Sequence, residues 1–114
     1  MNISIAHDFS DTPGGRTYKD GPYSGEKFRQ EILKPALEQA RETRSAVQVD
    51  LDEAEGFPSS FLEEAFGGLV RRGDYSAPDL HVLMKFNYTE PGLDSYVSEI
   101  WAYIEDAAKN RQAA

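Results

Sequence analysis

The chain has 114 residues, of which 39% are apolar and 28% charged, enough to close one core and too few for a second domain. Twelve basic residues stand against twenty acidic ones, a net charge of −8, which argues against nucleic acid or an anionic membrane as the main partner. The absence of cysteine removes disulfides, thiol catalysis, iron–sulfur clusters and thiolate zinc sites.

Along the chain, Ile3, Ile5 and Phe9 alternate with polar residues and predict a short opening strand. Two clusters of turn formers, Ser10 to Gly15 and Asp20 to Gly25, flank Arg16 to Lys19. That middle piece is expected to be a second strand paired with the first. Phe28, Ile32, Ala36 and Ala40, with Leu33 and Leu37, predict a helix over residues 25–43, with Ser24 as its N-cap and a kink at Pro35. Val47, Val49 and Leu51 share one face of a strand over 46–51. Phe61, Leu62, Ala65, Phe66, Leu69 and Val70 mark a helix over 60–72. Ser60 followed by Glu63 reads as a capping box, and Gly73 as the helix stop. The apolar run Leu80 to Phe86 predicts a further strand, and Val97, Ile100, Trp101 and Ile104 a closing helix over 93–109.

The order β(β)αβαβα implies an α/β fold: a mostly parallel or mixed sheet of four strands with helices mainly on one face. One domain is expected over residues 1–110, with a frayed tail at 111–114. No apolar run approaches the roughly 20 residues of a membrane span. Met1 to Ile5 is too short and polar for a signal peptide, so a cytoplasmic location is the expectation.

Catalytic constellations are scarce. His7 and His81, the only histidines, lack metal-ligand spacing and read as structural. Asp50, Asp52, Glu53 and Glu55 resemble a divalent-metal cluster, but a solvated strand-end loop is the plainer reading, and no metal or cofactor is expected. The chain is therefore read as a non-enzyme. Arg16 and Ser24 lie in glycine-bearing loops where an anion could be held. The densest segment is Val49 to Leu69, in which a strand leads through a short loop to two serines opening an amphipathic helix. Hydroxyls there sit beside free backbone N–H groups at the positive end of a helix dipole, a position that accommodates a phosphate. Gly67 and Gly68 suggest a bare patch on the same helix, for this chain's own backbone or for a partner.

The strand, the Ser59-Ser60 loop and the helix Phe61 to Leu69 resemble the signature of bacterial STAS-like domains of unknown function. Tyr23 to Arg29 and Gly15-Arg16 resemble that family too, and the likeness runs over roughly residues 3–88. These domains are related to the STAS domains of anti-sigma-factor antagonists, where Asp-Ser-Ser-Gly opens the helix and a kinase of histidine-kinase-type ATPase fold phosphorylates the second serine. The matching stretch here is Pro58-Ser59-Ser60-Phe61, with proline in place of aspartate and phenylalanine in place of glycine. The resemblance implies Ser60, with Ser59 second, as the phosphorylation candidate. It also implies a histidine-kinase-like ATPase or kinase as partner.

The expected function is therefore a regulatory protein-binding module. Its docking residues are Phe57, Pro58, Glu63, Glu64, Gly67, Gly68 and Arg71 on and before the helix. The alternative is a sensor that takes a nucleotide or other small anion at the strand-end loops. An uncovered sheet face or exposed tyrosines would leave room for a homodimer.

Overall fold

In the computed structural model, which describes residues 1–113, strands β1 (Asn2–Ser4), β2 (Val47–Asp50) and β3 (Met84–Asn87) form one parallel sheet in the order β1-β2-β3. Ile3 lies opposite Val49, Val49 opposite Phe86, and Val47 opposite Met84. Side chains alternate along a strand, so these residues share one face. Ile3, Val47, Val49 and Met84 are buried there and Phe86 is partly so. The other face carries Asn2, Ser4, Gln48, Asp50, Lys85 and Asn87, none of them buried. Right-handed crossovers between strands in this order return each connecting helix to the same side, in keeping with one apolar and one polar face.

Among the described residues the sheet has three strands where four were expected. Arg16 to Lys19 does not pair with β1. Tyr18–Asp20 is a 3-10 turn, closed by the Asp20 carboxylate, which accepts from the backbone N–H of Thr17 (2.8 Å) and of Arg16 (3.2 Å). The segment satisfies its backbone through its own side chain and has no need of a partner strand.

Helix α1 runs over 25–43 as an α turn Gly25–Lys27, a π segment Phe28–Leu33 and an α stretch Lys34–Thr43. Ser24 caps it, accepting from Lys27 N–H at 3.2 Å. The expected disturbance at Pro35 takes the form of this π segment. Its wide hydrogen bonding ends at Lys34, directly before the residue that has no N–H to give.

Helix α2 spans 59–71: Ser59–Leu62, a π segment Glu63–Gly67, and Gly68–Arg71. Gly73 follows at φ +85°, the left-handed position that stops a helix.

Helix α3 (Ala77–Leu83) replaces the first half of the expected third strand. Ser76 Oγ accepts from Asp79 N–H (3.1 Å), the Asp79 carboxylate accepts from Ser76 N–H (3.2 Å), and Pro78 lies in the first turn. Ala77, Leu80 and Leu83 recur three apart and are buried, while His81 and Val82 face out. The strand begins only at Met84, so His81 is a surface helix residue rather than a strand residue.

Helix α4 (Asp94–Ala113) closes the fold and carries Ile100, Ile104 and Ala107 into the core. It continues past residue 109, and of the expected tail only Ala114 lies outside the described residues. Among the described residues no helix is long and apolar enough to cross a membrane.

Candidate functional site

All three strands run the same way, so the segments that follow them gather at the carboxyl-terminal edge of the sheet: loops after β2 and β3, and after β1 a helical turn, Ile5–Asp8 capped by Ser4, where the opening strand was expected to continue through Ile5 to Phe9. These segments are tied to each other by carboxylates. His7, after β1, pairs with Glu53, after β2. Asp52 accepts from Thr89 N–H (2.9 Å), Thr89 Oγ1 (2.8 Å) and Glu90 N–H (3.1 Å) in the loop after β3. The bonds from Thr89 and Glu90 hold the Asp52 carboxyl below its usual range, against a smaller opposing push from desolvation. The hydrogen bond and charge of Glu53 raise His7 above its usual value. Asp50, through its carboxylate, caps Asp52 N–H at 2.9 Å. Among the described residues no three His, Asp or Glu side chains converge as a metal site would require.

The amino end of α2 opens at this same edge. Pro58 and Ser59 are exposed, Ser60 is half-buried and Phe57 is buried. The expected capping box does not form: the helix begins at Ser59, Pro58 occupies the cap position, and no side chain caps the first turn. Proline fixes the entry angle into the helix, which leaves Ser60 inside the first turn rather than before it. Ser59 lies against the Tyr103 phenol of α4, which donates to Glu99 at 2.6 Å.

Freed from capping, Glu63 faces two arginines. Arg16, from the turn before α1, and Arg71, at the far end of α2, both donate to its carboxylate. Partial burial alone would raise the Glu63 carboxyl, but the hydrogen bonds from Arg71 and Arg16 prevail and hold it below its ordinary value. Both arginine side chains are nearly half exposed. Beside this surface, a cleft of about 550 Å³ runs between α2 and α4, lined by Glu63, Arg71, Tyr103, Asp106 and Arg111 among others.

Glu64, one residue on, turns inward to Arg29 of α1, a fully buried arginine at 1% exposure. One Arg29 nitrogen donates at 2.5 Å both to the Glu64 carboxylate and to the Glu64 backbone carbonyl, and Nε donates to Gln30 at 3.0 Å. In the π segment Gly68 N–H reaches back five residues to the Glu63 carbonyl, which leaves the Glu64 carbonyl to the guanidinium.

The structure separates the residues singled out from sequence. Gly67 and Gly68 are buried beneath the molecule itself. A Cβ on Gly68 would run into the Arg29 guanidinium, and one on Gly67 would lie 3.4 Å from the Tyr103 carbonyl. Their close approach serves Arg29 and α4, so neither they nor buried Phe57 lie on an outer surface. Pro58, Ser59, Glu63 and Arg71 remain accessible, and Glu64 only slightly.

The anion site expected at Arg16 and Ser24 is also occupied from within. Ser24 is fully buried. Gly25 N–H donates to the Gly15 carbonyl (2.9 Å), Glu26 N–H to the Arg16 carbonyl (3.0 Å), and Lys27 N–H to Ser24. No donor of that first turn points at solvent, and the Arg16 guanidinium is engaged by Glu63.

Sequence reasoning missed Arg29. Its position among apolar residues on the buried stripe of α1, one residue after Phe28, was the available signal.

A family model described as a STAS-like domain of unknown function (DUF4325) matches residues 24–85, from the N-cap of α1 to the second residue of β3. No curated protein and no solved structure matches the chain. The match covers more than half of the sequence and includes both crossed helices and the buried arginine between them; the chain belongs to the STAS-like domain family.

Proposed function

We propose that this domain is a non-enzymatic regulatory module that docks a protein partner, a histidine-kinase-like ATPase or serine kinase, through the accessible amino end of α2. The observation that carries this reading is the exposed Pro58-Ser59 start of a helix whose first turn has no side-chain cap, beside the open Arg16–Glu63–Arg71 surface. Ser59 and Glu63 are four residues apart and Ser60 and Glu63 three, so a group added to either serine lies on the face that Arg16 and Arg71 already occupy. A phosphate would carry about −1.5 to −2 charges and would compete with Glu63 for those arginines. That competition is the proposed switch. Exposure favours Ser59 as acceptor, while the family likeness favours Ser60, and both remain part of the proposal.

The test pairs the purified chain with the histidine-kinase-like ATPase encoded nearest to it, with ATP, followed by phosphosite mass spectrometry and biolayer interferometry. Binding that weakens at least tenfold in Arg16→Glu and Arg71→Glu, with phosphate on Ser59 or Ser60, is the expected result. Binding indifferent to both charge reversals, or no binding at all, would refute it.

A further inference from the structure

A second surface, on a different face from the start of α2, has the form of a peptide groove. In the sheet order β1-β2-β3 the strand β3 pairs, among the described residues, with β2 alone; the Asn87 carbonyl accepts from Leu51 N–H on the β2 side and Met84 N–H donates to the Leu80 carbonyl, so the groups left open on the outer edge are the Met84 carbonyl and the N–H and C=O of Phe86. A groove of about 380 Å³ lies between this edge and α4, walled by His81, Phe86, Tyr88, Val97 and Trp101, with Lys85 at the rim.

The wall is fixed in place. The His81 ring stacks on Trp101 with centroids 4.1 Å apart and planes 7° from parallel, and Phe86 meets Trp101 edge-on at 5.8 Å. Glu105 pairs with the His81 ring nitrogen at 3.1 Å. Val82, at 70% exposure, and Tyr88 flank the site as exposed apolar surface.

We propose that this edge receives an extended, acidic segment of a partner protein as a fourth strand. Three features select that occupant. A free strand edge beside a helix offers backbone hydrogen bonds to an extended chain and a pocket to alternate side chains. Phe86 points to the apolar face and Lys85 and Asn87 to the polar face. The partner residue opposite Phe86 is therefore apolar or aromatic, and its neighbours lie beside Lys85.

The third feature is charge. The chain carries twenty acidic residues, yet among the described residues no Asp or Glu lines this groove, and the nearby Glu105 is paired with His81. Lys85 Nζ spends one hydrogen on the His81 carbonyl (3.0 Å) and keeps the others for an incoming carboxylate. A second copy of this chain fits less well, because pairing β3 with its own equivalent would set Lys85 against Lys85.

The probe is the capped heptapeptide Thr-Val-Glu-Phe-Glu-Val-Thr, titrated into the ¹⁵N-labelled chain. The expected result is shift changes confined to the amides of residues 84–88 and the indole of Trp101, the single tryptophan. Lys85→Glu, an exposed and structurally mild change, should weaken binding at least tenfold. The same variant should gain affinity for a peptide with lysine in place of both glutamates. N-methylation of alternate peptide amides should abolish binding, because it removes the strand hydrogen bonds.

No shift changes at millimolar peptide, equal binding of the N-methylated peptide, or a self-associated chain with the Phe86 amide already protected would each overturn the proposal. None of these outcomes involves Ser59, Arg16 or an ATPase, so this inference and the docking function stand or fall separately.

Discussion

Glu63 and Glu64 are neighbours on one helix, yet they live in different physical regimes. Glu64 meets an arginine with 1% exposure at 2.5 Å, whereas the two arginine side chains on Glu63 are 45% and 44% exposed. A buried ion pair forms only where geometry repays desolvation, and leaving one member alone is costly. An exposed pair is screened, exchanges with water, and contributes little to stability. The lesson is a division of labour across a single turn. The inward pair locks α1 to α2, and the outward network is left cheap enough to rearrange.

The largest expected effect breaks the inward lock. Arg29→Ala should destabilise the fold by about 3–5 kcal/mol, because the Glu64 carboxylate and carbonyl lose their buried donor. Urea denaturation followed by circular dichroism measures this. Pairing Arg29→Met with Glu64→Leu should recover most of the loss, since both charges then leave together. A small loss in the single variant would mean that water or Arg71, whose nearer nitrogen is 3.4 Å from Glu64, substitutes for Arg29.

The two glycines give a sharper version of the same contrast. At Gly68 a methyl group meets the Arg29 guanidinium, which is buried and cannot swing away. At Gly67 the near neighbour is the end of the Glu63 side chain, 2.9 Å away and free to move. Alanine gains about 1 kcal/mol over glycine in a helix, and overpacking costs about 1–3 kcal/mol. Gly68→Ala should therefore lose stability by up to about 2 kcal/mol net, and Gly67→Ala should be neutral or slightly stabilising in the same denaturation experiment. Equal effects would show that Arg29 is not pinned.

How much of this could be read from sequence follows the same line between local and distant causes. The Gly73 stop, the Ser24 cap and the α1 and α2 stripes were legible because each depends on neighbours within one or two turns. The Leu80 to Phe86 run misled because helix and strand both accept a continuous apolar segment, and the deciding capping box at Ser76 and Asp79 lies upstream of it. The Ser60 box failed because Pro58 takes the cap position and starts the helix one residue early, which puts Ser60 inside the first turn and frees Glu63 for Arg71 and for Arg16, 47 residues away. Arg29 was invisible because only the crossing of α1 and α2 reveals why an arginine belongs inside. The start of α2 was recognised as a surface, but which of its residues face out depended on α4, which packs over Gly67.

The outward network should respond weakly, and to solvent conditions. Arg16→Ala and Arg71→Ala should each cost about 0.2–1 kcal/mol, with the loss shrinking as salt rises. A double-mutant cycle should reveal coupling, because both arginines share one carboxylate. The Glu63 carboxyl is depressed in the folded state, so its contribution is present above the ordinary glutamate range and disappears as pH falls through the folded value. The double variant should flatten that acid-side slope. An unchanged slope would place the titrating group elsewhere.

The smallest effect concerns His7 and Glu53, a pair with neither burial nor a second cation behind it. His7 is raised by the Glu53 hydrogen bond and charge, so what it contributes is complete below the ordinary histidine value and is lost as pH rises through the folded one. Glu53→Gln should bring the His7 titration, followed by NMR, back toward 6.5. Glu53 also sits at φ +73°, a left-handed conformation that costs a non-glycine residue about 1–2 kcal/mol. Glu53→Gly removes the pair and the strain together. Because a pair this exposed is screened like the arginines on Glu63, the strain should be the larger quantity and the variant should unfold at slightly higher urea. A lower midpoint would mean that the His7 link between the first two strand-end loops outweighs the backbone cost, and the division between inward lock and outward network would then not extend to this edge of the sheet.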